Sequence, residues 1–177
     1  MELSNREVWA VFHGLVFGSA FLLAFAGGLA GLWSLRPEWV TVEGVRERMR
    51  RLTAGVATMA LVAWVTVVTG TYVVYPWYRA SPPEGTDDLT AYPRSFLLAD
   101  SSTDLWHKFG MEWKEHIAWA APMLATAVAF IVIYYGRRLE YNKLLRYTTI
   151  ALFVGAFAAA AVAGLMGAFI TKAAPIR

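Results

Sequence analysis

The chain has 177 residues, of which 58% are hydrophobic and only 16% charged, with a mean hydropathy of +0.45. Soluble domains carry about 25% charged residues, so this balance excludes an ordinary water-soluble fold. The net charge is +3, but its basic residues sit in short loops between apolar blocks, which is a topology signal and not a nucleic-acid footprint.

The N-terminus lacks a basic n-region and a cleavage site, so the first apolar block is expected to be retained. Spans are predicted at about 8–35, 52–74, 112–136 and 147–171. Each reaches the roughly 20 residues needed to cross a hydrocarbon core of about 30 Å. The expected fold is an all-α integral membrane protein, a four-transmembrane-helix bundle forming a single domain over residues 1–177. Aromatic clusters at Trp33 and Trp39, Tyr72 to Tyr78, Trp106 and Trp113, and Tyr134 to Tyr147 mark the interfaces. Small residues at Gly14 and Gly18, Gly27 to Gly31, and Gly164 and Gly167 are expected to serve close helix packing.

The loops 36–51 and 137–146 hold nine basic against four acidic residues, and the other side seven against nine. Positive-inside reasoning puts those two loops in the cytoplasm and both termini outside, in a plasma or inner membrane. The segment 76–111 is then the main extracytoplasmic feature. Pro82 to Asp88 is a turn signal, 92–98 is apolar enough for the interface, and Ser101 to Asp104 reads as a helix N-cap. Pro122 is expected to kink the third span and free a backbone carbonyl.

The chemistry has few candidates. Without cysteine, thiolate metal sites, Cys-ligated clusters, covalent haem and Cys nucleophiles are excluded. No span carries an acidic or basic residue at mid-depth, which argues against a proton-coupled transporter or channel. Of three histidines, His13 and His116 lie at matched depth in parallel spans, as the axial pair of a haem b requires. His107, nine residues before His116, points to the opposite helix face about 13 Å further out, and is the alternative ligand or a solvated residue. Lys108 and Lys114 are candidate partners for haem propionates, and Lys108–Glu112 is also placed to form a surface ion pair.

On Phe12-His13-Gly14 and Trp113-Lys114-Glu115-His116 the chain resembles the four-helix membrane cytochromes b that anchor respiratory redox complexes. Examples are the membrane anchors of succinate dehydrogenases and the cytochrome b subunits of formate dehydrogenases and hydrogenases. That resemblance implies one non-covalent haem b near the outer face, exchange of electrons with a quinone or quinol pool, and a partner redox subunit. An extracytoplasmic cytochrome or iron–sulfur protein is a possible partner by the same likeness. The competing expectation is a cofactor-free accessory subunit that scaffolds a larger membrane complex, motivated by the small loops and Gly/Ala-rich faces.

Overall fold

A computed structural model describes residues 3–37 and 41–175, without the side chains of Val42 and Glu43. Glu2, Glu38, Trp39 and Arg177 lie outside the described residues. Four helices long and apolar enough to cross a membrane run Asn5–Ser34, Gly44–Arg79, Trp106–Tyr135 and Lys143–Ala173. The protein is therefore an all-helical, multi-pass membrane protein, and among the described residues there is no strand.

These helices overrun the predicted spans, the second most of all. Its 36 residues measure about 54 Å at 1.5 Å each, well beyond the hydrocarbon core. Hydropathy marks where the chain meets lipid, whereas the backbone ladder continues as long as its residues favour helix. The segment expected as loop before Leu52 does so: Glu47 pairs with Arg50 at 3.0 Å and with Arg51 at 2.7 Å along one helix face.

The chain divides into two compact units. One comprises residues 19–64 and 120–159. Its core sets Phe25 between Phe153 (5.0 Å between ring centroids) and Phe157 (4.2 Å). Gly28 is where the first span meets this ring stack, since a Cβ there would sit 2.6 Å from Phe153 Cζ. Gly14, Gly18, Gly27 and Gly164 face open space, so only part of the small-residue pattern serves contact within the chain.

Two arginines finish the first span in this unit. A helix end leaves carbonyls without intrahelical partners and concentrates negative partial charge there. Arg48 donates to the Ser34 carbonyl at 3.0 Å. The buried Arg146 donates to the carbonyls of Leu35 at 2.6 Å and Glu140 at 2.9 Å, with a longer 3.3 Å approach to Leu139. One guanidinium thus holds the end of the first span and the turn between the third and fourth. Gly136, at φ +48°, makes that turn possible, because its left-handed backbone suits glycine alone.

The other unit comprises residues 1–18, 65–119 and 160–177. Its core is Tyr78, Leu97, Met111, Ile170 and Ala174, with Phe96 and Trp106 packed against it. The predicted turn at Pro82 to Asp88 is present, with the Thr86 amide bonded to the Pro83 carbonyl and Gly85 at φ +78°. Residues expected to lie in the interface instead form a short helix, Pro93–Leu98, that buries Leu97 completely. Proline at its first turn presets φ and lacks only an amide that would have had no partner. Ser101 to Asp104 is a turn tied by Asp100, whose carboxylate accepts from the Ser102 amide at 2.7 Å. That bond holds the Asp100 carboxyl below its ordinary range.

The third span is interrupted at Ala118 and Trp119. Pro122 has no N–H to offer the carbonyl four residues back, as expected from the sequence.

If Arg146 closes these carbonyls, Arg146→Ala leaves them unsatisfied in a dry site and should cost at least about 3 kcal/mol. Arg51→Ala, which removes an exposed pair, should cost about 0.5 kcal/mol or less. Thermal unfolding in mild detergent compares the two, and equal midpoints would discount the role given to Arg146.

Candidate functional site

All three histidines fall in the unit of residues 1–18, 65–119 and 160–177. So do the three π-helical turns among the described residues, Phe12–Val16, Gly70–Val74 and Trp106–Met111. A π-turn inserts a residue into the ladder and loosens one hydrogen bond, and such bulges concentrate at functional sites. Here the first contains His13, the second begins at the glycine that His13 touches, and the third contains His107.

His13 is half-buried against the second span. A Cβ on Gly70 would lie 2.7 Å from its Cε1, so only glycine admits the ring there. Its Nδ1 is 3.4 Å from Thr69 Oγ1. The Thr69 hydroxyl has one proton and lies 2.7 Å from the Val65 carbonyl and 3.1 Å from that of Thr66. A hydroxyl donating to those carbonyls accepts from the ring, an arrangement that favours the His13 proton on Nδ1 and the lone pair on Nε2.

His116 reaches the same state by another route. Its Nδ1 lies 2.8 Å from the Glu112 carbonyl, which has no proton to give. Nδ1 is therefore the donor, and Nε2 again carries the lone pair. The ring is exposed, however, whereas Lys114 lies over Gly167 of the fourth span, and its charge acts on His13. Two residues of helix rotate a side chain by about 200°, so Lys114 takes the inward face and His116 the opposite one. Among the described residues no hydrogen bond, ion pair or ring contact joins His13 and His116.

His107 has a different partner. Tyr78 Oη lies 2.8 Å from its Nδ1, and because a phenol both donates and accepts, this bond leaves the tautomer open. Around the pair stand Arg94 and Glu115, each within electrostatic reach of both Tyr78 and His107. Arg94 Nε and Glu115 Oε1 are buried without a hydrogen-bond partner. Arg79 donates to the Tyr75 hydroxyl at 3.2 Å. A basic and an acidic group with unused hydrogen-bonding capacity beside a Tyr–His bond form a polar nest at this end of the spans.

Lys108 pairs with Asp104 and not with Glu112, because the helix begins early enough for Asp104 to stand one turn before it. Lys114 has no carboxylate within 4 Å among the described residues, so it is the cation left for an anionic group. Met59 and Met111 are buried in the cores and Met123 is exposed. No cluster of three or more His, Asp or Glu side chains able to hold a metal ion occurs among the described residues.

Thr69, Gly70, Tyr78 and Arg94 were not singled out as site residues in the sequence. Tyr78 stood inside an interfacial aromatic cluster, and no single-sequence pattern marks a π-turn.

Nitrogen NMR of histidine-labelled protein, at a pH where the imidazoles are neutral, should show His13 and His116 as Nδ1–H tautomers. Thr69→Val should alter the His13 signal alone, and Gly70→Ala should shift it by displacing the ring. An Nε2–H signal for either histidine would contradict the assignment.

No protein-family model matches this chain, and neither a curated protein nor a solved structure resembles it significantly.

Proposed function

We propose that this chain is a membrane-embedded b-type cytochrome subunit that passes electrons between the quinone pool and a partner redox subunit. The observation that supports this reading is the pair of imidazoles, His13 and His116, each with its Nδ1 beside a hydrogen-bonding oxygen of the chain. Axial ligation needs a neutral imidazole with its lone pair held ready on one nitrogen, and a hydrogen bond to the other nitrogen is what fixes that state. His13 has it from Thr69 and His116 from the Glu112 carbonyl.

Two neutral imidazoles are the donor set of a single haem b. His116 stands on the helix face opposite Lys114, whose charge reaches His13, so its pairing with His13 requires that face to turn inward, and His107 is the alternative second ligand. Three histidines cannot supply two bis-histidine sites. When bound, a haem supplies one-electron exchange between ferric and ferrous iron. The rest is the work of the chain. Lys114, with no carboxylate partner, is the cation for a propionate, while Lys108 is already engaged by Asp104. Gly70 gives His13 room to lie against the helix backbone. Quinol oxidation releases protons with its electrons, and Glu115 Oε1 and the His107 ring are the groups at this end able to take one. By the charge asymmetry of the loops, this end faces outward and both termini are extracytoplasmic.

A reduced-minus-oxidised absorption spectrum of the purified chain tests the reading. A sharp b-type α-band is expected, lost in both His13→Ala and His116→Ala and kept in His107→Ala. Loss with His107→Ala but not His116→Ala would move the second ligand to His107. A flat spectrum from folded protein would overturn the haem and favour a cofactor-free accessory subunit.

A further inference from the structure

The unit of residues 19–64 and 120–159 holds an open groove of about 520 Å³, with no histidine in its lining. Ligand sites typically occupy about 300–1,000 Å³, so its size suits a substantial molecule. Its lining changes character from one end to the other. Arg46 and Arg50 of the second span and Arg137 after the third stand at the mouth. Thr53, Ala54, Ala57, Val132 and Ile133 line the rest of the groove. Arg46 and Ala57 are eleven residues apart, or about 16 Å along a helix, so the groove runs lengthwise from charged to apolar.

The charge at the mouth is not cancelled. Among the described side chains no carboxylate lies within 4 Å of Arg46 or Arg137. Arg50 shares the single Glu47 carboxylate with Arg51. Gly136, by ending the third span with a left-handed residue, turns Arg137 to this mouth.

A row of guanidinium groups above an apolar channel matches one kind of molecule in a bilayer. Guanidinium binds phosphate oxygens through paired N–H donors, and the channel offers apolar surface that an inorganic ion leaves bare. Basic pockets between transmembrane helices bind anionic lipid headgroups for this reason. We propose that this groove seats an anionic phospholipid, its phosphodiester against Arg46, Arg50 and Arg137 and one acyl chain beside Ala57 and Ile133. The proposal is independent of the cytochrome reading.

Native mass spectrometry of the full chain, delipidated in mild detergent and titrated with phosphatidylglycerol or phosphatidylcholine, tests it. Phosphatidylglycerol should be retained at least about tenfold better, because only its headgroup carries a net negative charge for the arginines. Arg46→Ala combined with Arg137→Ala should abolish that preference. Ala57→Trp, which fills the channel and leaves every arginine in place, should weaken both lipids. Circular dichroism confirms that the variants fold, as substitution of exposed side chains predicts. Equal retention of the two lipids, an unchanged preference in the double variant, or full displacement by millimolar inorganic phosphate would overturn the lipid site.

Discussion

A backbone that crosses hydrocarbon has no water to satisfy its amides and carbonyls, and this constraint governs the whole structure. Every polar backbone group must find its partner within the chain, which makes four long helices the solution for so apolar a sequence. The constraint also gives meaning to the places where the ladder is irregular. The π-turns at Phe12–Val16, Gly70–Val74 and Trp106–Met111, and the interruption at Ala118 and Trp119, all belong to the histidine-bearing unit. Local distortion of this kind costs stability, and it persists where the distorted backbone positions particular side chains.

Helix ends raise the same problem, and arginine answers it. Arg48 and Arg146 read as topology signals in the sequence, two positive charges among nine in the short loops. In the folded chain they cap the carbonyls of Ser34 and Leu35. Arg46 and Arg137 stand in the same loop regions and have no such carbonyl, and they line the mouth of the groove instead. Positive-inside asymmetry and helix capping are therefore not rival readings of these residues, since a planar cation with five donors serves both.

Span number and helical class were legible because an apolar block of roughly 20 residues has few alternatives. Boundaries were less legible. The Glu47–Arg50–Arg51 network extends the second helix without changing its hydropathy, and Asp104 captures Lys108 because the third helix starts before the apolar block does. Distance along a helix follows from counting residues, which is all that placed His13 and His116 at comparable positions in their spans. Helix face depends on which side of each span meets its neighbours. Gly70 receiving His13 and Gly167 receiving Lys114 are the contacts that settle it, and a single sequence does not display them.

The three histidines end up with different chemistry although they share one unit. Carbonyl oxygens and a hydroxyl committed to carbonyls accept only, so the contacts of His13 and His116 favour the lone pair on Nε2. Tyr78 can donate or accept, so either tautomer of His107 can keep this bond. Fixed tautomers suit a metal ligand, which must not be found protonated at the ligating nitrogen. An adaptable tautomer suits proton transfer, because the ring can take a proton on one nitrogen and yield one from the other. With Glu115 Oε1 and Arg94 Nε unpaired close by, the Tyr78–His107 pair has the groups such a relay needs on both sides of its charge change. The three rings thus differ in what each Nδ1 meets: a hydroxyl for His13, a carbonyl for His116 and a phenol for His107.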